Sequence, residues 1–581
     1  MNFQSMIATV AACAVIPGVA EAACQAALIA DLKVTMQGAV PLVRAKINGE
    51  EVSLIADSGG FFSALSEGTV ARFKLPSEVA DPSVYEIGVG GKQTISVTLV
   101  KTFTIAGQSL PNVPFTVIDN ELGAGISGFI GQSLLGFADA DYDLANGSIR
   151  LLRPKGCGDQ RLIVWGASRP FSMIPLEGID GTFKETIGEA FVNGKRVRVG
   201  FDTGSPTSAL SLEAARRVGV ATDGPGVMPA GVVRGGIGRQ WVESWVAPVA
   251  SFKIGDEEVR NTKLRVQASS LPEVDMLLGA DFFLSHQVYV ANSQRRIYFT
   301  YNGGPVFNLT TAPSAATAPP HEASAEPTDA DGFSRRGMAL AARRQFAAAI
   351  ADLTRATTMA RTEASYFTER AEVYVEGGQP SLAMADLDRA LKLKPDDAQA
   401  RVARAKLRMT AGQDAAAAAD LAEADRILPK EADLRLTMAQ LESADAGAAA
   451  IGQYDLWIKA HPDDNRMAQA LNGRCWIRAL WNIDTDKALA DCDGALRRDR
   501  KNADFLDSRG LTHLRLGEND RAIADYDAAL ALQPKIVWSL YGRGIAKLRK
   551  GLAADGQADL TAATALDPKV VAYARDRGLD R

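Results

Sequence analysis

The sequence predicts a multidomain chain: an all-β region made of two copies of one lobe, followed by an all-α solenoid of helix pairs. Three observations predict it. In the first three hundred residues a set of hairpin, glycine and strand features recurs at an offset of 145 to 148 residues. Beyond about Phe333, small residues and helix motifs recur every 34 residues. Between the two lies a stretch rich in Pro, Ala, Ser and Thr. At 581 residues the chain is too long for one hydrophobic core, so several domains are expected.

The N-terminus is apolar over residues 6–20, too short for a comfortable membrane span, and Ala20-Glu21-Ala22 has the A-x-A form of a cleavage site. This predicts a signal peptide over 1–22 and a periplasmic or secreted protein, although the segment before the apolar run has no Lys or Arg. The alternative is a lipid anchor through Cys24. No other segment reaches about 18 uninterrupted apolar residues, so the mature chain is expected to have no transmembrane span. Export makes the cysteines candidates for disulfides. Cys13 leaves with the signal, and local position suggests Cys24 with Cys157 and Cys475 with Cys492; four buried thiols are the other reading.

Composition excludes several classes. A net charge of −5 leaves no basic footprint for nucleic acid. Four unclustered histidines and no C-x-x-C pair argue against a metal site, and no cofactor is expected. GAGISG (123–128) spells a dinucleotide fingerprint, but Gly131 and Gly136 break the helix that would have to come after it.

The first lobe is expected over 24–158 and the second over 159–301. The approach RAKINGEEVSLIADSGGFFSAL in one parallels GEAFVNGKRVRVGFDTGSPTSAL in the other. Each has an Asn-Gly pair, Asn48-Gly49 and Asn193-Gly194, nine residues before an aspartate, Asp57 or Asp202. Asn-Gly between alternating apolar runs is a strong hairpin signal, because a type I′ turn needs positive φ twice. Each aspartate is followed six residues later by Ser-Ala-Leu, and a short amphipathic helix is expected after each, over 67–73 and 212–218. Downstream, GFIGQSLL matches MLLGADFF, and each leads into a final strand pair. So many shared features in one order indicate duplication.

The duplicated residues resemble those of the retropepsin-like aspartic proteases, in tandem. The family's D-[ST]-G-[AST] is matched by Asp57-Ser58-Gly59 and Asp202-Thr203-Gly204. Its later apolar-apolar-Gly is matched by Phe129-Ile130-Gly131 and Leu277-Leu278-Gly279. Ser205 conforms to the fourth position of the first motif; Gly60 departs from it. The resemblance covers about residues 30–301 and implies aspartic-protease-like lobes of the pepsin or retropepsin type, with Asp57 and Asp202 as the catalytic pair. Two close carboxyls cannot both ionise, so they share a proton, and one acts as base on water while the other is an acid toward the carbonyl. The close approach explains Gly59 and Gly204, and the resemblance implies that the Ser58 and Thr203 hydroxyls bond across to the opposite loop. Gly-rich candidate flaps lie at EIGVGGKQ (86–93), with Gly88, Gly90 and Gly91, and at VRGGIGRQ (233–240), with Gly235 and Gly236. His286 reads as structural.

Residues 302–330 read as a semi-extended Pro/Ala-rich linker, flexible enough to decouple the lobes from the C-terminal region. The region 331–581 resembles tetratricopeptide repeats: the period is 34, with Gly337, Ala371, Ala405 and Ala439 in register, and AIADLTRA, AMADLDRA, ALADCDGA and AIADYDAA echo one another. Seven units are expected, starting near Phe333, Ser365, Gln399, Asp433, Met467, Asp504 and Trp538. The fourth is degenerate, and the C-terminal helix is expected as a cap. The many arginines and aspartates of the repeats read as solvated surface.

The functional expectation is an exported aspartic endopeptidase acting on a polypeptide substrate, with a repeat groove that binds a protein partner. The alternative is a non-catalytic peptide-binding or assembly protein that keeps the fold. The lobes are expected to pair within one chain, pepsin-fashion; pairing of like lobes between two chains is the other arrangement.

Overall fold

The computed structural model describes residues 24–579 except 81–84, 89–90, 119–121, 123–124, 159, 163–164, 166–168, 178–185, 234–241, 270–273, 308–325, 443–445, 463 and 465. The expected signal peptide lies outside the described residues.

Each lobe is a seven-stranded barrel of the same order. In the first, the order is Val40–Ile47, Glu50–Ala56, Ile126–Ile130, Ala64–Ser66, Gln108–Ile118, Ser96–Ile105 and Ser77–Val79. In the second it is Ile187–Val192, Lys195–Phe201, Met276–Leu278, Ala209–Ser211, Glu257–Gln267, Val242–Ile254 and Met228–Val233. In both, the first strand of the order also pairs with the sixth, which closes the barrel. The Asn-Gly hairpins form as expected, with φ of 51° and 94° at Asn48 and Gly49, and 51° and 73° at Asn193 and Gly194. The Asn side chains bind the neighbouring strand as well: Thr102 N–H donates to Asn48 Oδ1, and Ala250 N–H to Asn193 Oδ1. The short helices are Glu67–Arg72 and Leu212–Val218, each capped by a serine, Ser66 or Ser211.

The lobes share a six-stranded antiparallel seam, ordered Ser172–Pro175, Arg296–Tyr301, His286–Ala291, Asp139–Asp143, Ser148–Lys155 and Gln25–Gln37. Lobe pairing is therefore within one chain. At its centre Ala140 faces Val290 and Tyr142 faces Val288. Buried polar groups fix the register. Tyr289 and Ser293 of the second lobe donate to Asp139, and Gln287 donates to Asp141, which also pairs with Arg150. Asp139 and Asp141 are buried and each has partners, as burial requires. His286 is buried against Phe282 and hydrogen-bonded to Glu257, a structural role as expected.

Among the described residues seven helix pairs come next, from Ala330–Ala342 with Phe346–Met359 to Val537–Arg549 with Ala553–Leu566, and the helix Val570–Asp576 closes the array. The array differs from expectation in three ways. First, its start is not decoupled from the lobes. Helix Ala330–Ala342 packs on strand Gln25–Gln37 and the turn Leu144–Asn146. Met338, Ala341, Leu353 and Val373 belong to one buried cluster with both lobes, and Arg343 donates to the Gly303 carbonyl. Apolar residues on the first two repeats make this contact, while residues 308–325 of the expected linker lie outside the described residues. Second, the arginines and aspartates are not mere solvated surface. Arg336–Asp352, Arg370–Asp386, Arg404–Asp420, Arg474–Asp491, Arg509–Asp525 and Arg543–Asp559 are two-pronged pairs joining the helices of a repeat. The fourth repeat places Met438 and Tyr454 there instead, both buried. Third, the end of the chain does more than cap. Arg515 donates to the carbonyls of Ala479, Leu480, Arg577 and Gly578 at 2.5–3.0 Å, and Arg577 lies over the Trp481 ring. The terminal segment thus turns back against the fifth and sixth repeats.

Candidate active site

Strand Glu50–Ala56 ends at Asp57 and strand Lys195–Phe201 at Asp202, and each aspartate is held by a parallel neighbour. Asp57 N–H donates to Ile130 O, and Asp202 N–H to Leu278 O, both at 2.9 Å. The chain then turns through Gly59-Gly60 or Gly204-Ser205. Asp57 Oδ1 accepts from Gly59 N–H at 2.9 Å and Gly60 N–H at 2.8 Å. Asp202 Oδ1 accepts from Gly204 N–H at 2.9 Å and Ser205 N–H at 3.1 Å. Each carboxylate is therefore pinned by its own loop.

The loops meet across a pseudo-twofold axis. Ser58 N–H donates to Thr203 Oγ1 at 2.9 Å, and Thr203 N–H to Ser58 Oγ at 3.0 Å. Ser58 Oγ–H passes on to Phe201 O at 2.9 Å, and Thr203 Oγ1–H to Ala56 O at 2.6 Å. Both hydroxyls are buried and fully engaged. Gly59 and Gly204 let the backbones close in: an added Cβ would fall 2.6 Å from Asp202 Oδ1 at position 59, and 2.5 Å from Asp57 Cγ at position 204. The Asp57 and Asp202 carboxyls consequently hydrogen-bond each other.

Burial pushes both carboxyls upward from the ordinary aspartate range. Asp202 is pushed well above it, because the Asp57 charge stands beside it as well. Both keep part of their surface open to solvent. Two close carboxyls in this setting hold one proton between them, and their titration belongs to the pair. The arrangement suits simultaneous proton donation and abstraction on one substrate. Among the described residues no group of His, Cys, Asp and Glu is arranged to hold a metal ion.

Of the first candidate flap, Tyr85–Gly88 and Gly91–Thr94 form a two-stranded hairpin with Gly88 opposite Gly91; Gly90 lies outside the described residues. Gly235 and Gly236 lie outside them too, between the strands that pair at Val233 and Val242. Cys24 and Cys157 stand at disulfide distance with Cα atoms 4.3 Å apart, as do Cys475 and Cys492 at 5.5 Å.

Sequence reading missed two residues behind the pair. Asp281 is buried two positions after Gly279; its Oδ1 accepts from Ser208 N–H, Ser208 Oγ–H and Phe282 N–H at 2.6–2.9 Å, and burial raises its carboxyl to about 6. Ser133 occupies the same place in the first lobe, bonded to Ser63. Gln132 is the second: its amide reaches the Ser58 carbonyl at 2.7 Å. Aligning GQS with GAD gives the signal, because both positions break the otherwise close repeat.

An aspartyl protease family profile matches residues 43–134 and again 189–282, and a tetratricopeptide repeat profile matches 503–536. Among solved structures the chain is similar to the Cut9–Hcn1 hetero-tetramer of the APC/C, at 14% identity over 38% of this chain and 42% of that one, with a TM-score of 0.31. It is similar to YrrB, a TPR protein with an unusual peptide-binding site, at 14% identity over 39% and 98%, with a TM-score of 0.23. A tetratricopeptide repeat protein from Parabacteroides merdae gives 19% identity over 40% and 86%, with a TM-score of 0.28. No curated protein matches the sequence.

Proposed function

We propose that this chain, with two aspartyl-protease-like lobes ahead of a tetratricopeptide array, is an exported endopeptidase that uses Asp57 and Asp202 as its acid–base pair. The observation that carries the reading is the contact of the two carboxyls at the axis of the reciprocal Ser58–Thr203 clasp. In the resting pair one proton is shared. A water between carboxyls and substrate loses its proton to the ionised aspartate as its oxygen attacks the peptide carbonyl carbon. The protonated aspartate gives its proton to the carbonyl oxygen, leaving a neutral tetrahedral diol. The aspartate that took the water proton then gives it to the amide nitrogen as the C–N bond breaks, while the other takes a proton from a diol hydroxyl as the new C=O forms, so one proton again remains on the pair. Rigid pinning of each carboxylate supplies the orientation such a step needs.

Export is supported by two cysteine pairs at disulfide distance, since such bonds persist in oxidising compartments. Cys24 bonded to Cys157 leaves no thiol to acylate, which disfavours the lipid anchor. No helix among the described residues is long and apolar enough to cross a membrane. For the array, a protein partner is proposed.

The test is hydrolysis of denatured casein across pH 3–8 by the purified protein. Wild type is expected to cleave, to be blocked by a statine peptide and to ignore chelator, while Asp57→Asn and Asp202→Asn each lose activity by at least about 10³-fold, the scale of general acid–base groups that act as a unit. The non-catalytic alternative has one observation in its favour: Gly60 offers no hydroxyl, and the Ser205 hydroxyl is spent on the Thr207 carbonyl. Statine binding without cleavage would decide for it.

A further inference from the structure

The two halves of the site are near-copies, yet the chemistry proposed for them is unequal: one aspartate must be ionised while the other holds the proton. Of the side chains that break the symmetry, one acts on the loop that holds Asp57. Gln132 is buried directly after Gly131, where the second lobe has Ala280. Its Nε2 donates to the Ser58 carbonyl at 2.7 Å and reaches Thr186 Oγ1 at 3.4 Å. The Ser58 carbonyl and the Gly59 N–H belong to one peptide group, and that N–H donates to Asp57 Oδ1 at 2.9 Å. The chain of dipoles therefore runs from the Gln132 amide through a single peptide to the Asp57 carboxylate. Each hydrogen bond in such a chain polarises the next, so the Gly59 N–H is a stronger donor than its counterpart at Gly204.

We propose that Gln132 is a positioning residue that makes Asp57 the ionised base and Asp202 the proton-holding acid. The inference rests on the dyad reading above and deepens it. The surroundings of Gln132 fit this role. Thr186 accepts the Phe201 N–H through its carbonyl at 2.9 Å, so the amide is tied to the strand that leads into Asp202. The Tyr142 phenol stands near the Gln132 side chain from the lobe seam. Gly136 leaves the room: a Cβ there would lie 2.5 Å from Gln132 Oε1. Among the described residues the titratable groups facing Asp57 are Asp202 and Tyr142. Burial raises the Tyr142 phenol, which stays neutral throughout the working range.

The test uses the full chain with Gln132→Met, which keeps volume and removes the donor, and with Gln132→Glu, which can donate to Ser58 only while protonated. The readout is the titration of ¹³C-carboxyl-labelled aspartate, with Asp57 and Asp202 assigned from their Asn variants, alongside the pH profile of casein cleavage. In Gln132→Met the lower ionisation of the pair, and with it the acid limb of kcat/KM, is expected to rise by about one pH unit, the usual scale of a hydrogen bond to a charged group. Gln132→Glu should match wild type at low pH and lose activity as it ionises. Unchanged carboxyl titration in Gln132→Met, with only a lower melting temperature, would overturn the proposal and leave Gln132 a packing residue. If Gln132→Met does not fold, Gln132→Glu decides alone: a profile unmoved at both ends overturns it equally. Should wild type cleave nothing while the titration shifts as stated, the hydrolytic reading fails and the role of Gln132 stands.

Discussion

Gly60 illustrates how a residue's identity depends on its neighbour's. A Cβ there would stand 3.0 Å from both Asp57 Oδ2 and Phe129 Cε2. In the second lobe Leu277 replaces the phenylalanine, and Ser205 is accommodated. The departure from the motif thus accompanies a bulkier ring that leaves little room for a Cβ. Asp281 allows a sharper statement. Its carboxyl titrates near 6 when folded against 3.8 as a free side chain, so between those values the folded chain binds more protons than the unfolded one. Its contribution to stability therefore falls as pH rises from about 4 to 6, by about 2–3 kcal/mol in full. Asp281→Asn keeps the Oδ1 acceptor and removes the buried charge. The melting temperature of that variant minus that of wild type is expected to grow by several degrees between pH 4 and pH 7; a constant difference would show that the carboxyl does not carry the charge there. The two aspartates, the clasp hydroxyls and the two glycines were named through the family resemblance that the duplicated motifs carry. Gln132 and Asp281 were not, since each is a lone polar residue after a glycine and gains meaning only from what the fold places opposite it.

At the scale of elements, the hairpins, the short capped helices and all seven helix pairs fall where periodicity and turn chemistry put them. Side-chain pairing between helices did not, because a 34-residue period specifies register but not which faces meet. The Arg–Asp pairs are the clearest instance. Asp386 is 6% exposed, and its partner Arg370 is largely sheltered. Removing one member leaves the other without its charge partner, a change worth about 3 kcal/mol in such surroundings, whereas an apolar pair of similar volume is tolerated. Asp386→Ala is accordingly expected to lower the unfolding free energy of the array by about that much, and Arg370→Met with Asp386→Leu by less than half of it. Met438 and Tyr454 in the fourth repeat are the natural form of the same exchange. Urea unfolding followed by helical circular dichroism measures both; equal losses in the single and double variants would mean that packing, not charge, sets the cost.

For the whole molecule, the docked first repeats change what independence means. With Met338 and Val373 in one core with the lobes, Met338→Asp is expected to lower the melting temperature of the lobes themselves, read by tryptic protection of residues 24–307. Cys475→Ser acts elsewhere. It opens a 17-residue loop in the fifth repeat and should cost about 3 kcal/mol in the array while leaving cleavage at wild-type rate. Loss of cleavage in that variant would reveal coupling along the solenoid. The seam between the lobes has a consequence in time. Its strands come from residues 25–37 and 148–155 on one side and from 172–175 and 296–301 on the other, so each half closes only when its far end has been made. The halves join through 139–143 and 286–291 and through the Ser58–Thr203 clasp, contacts that need both lobes. Contacts of such long sequence separation form late and slowly. A chain not yet extended past Tyr301 therefore lacks the paired aspartates, whatever the order in which its first lobe closes.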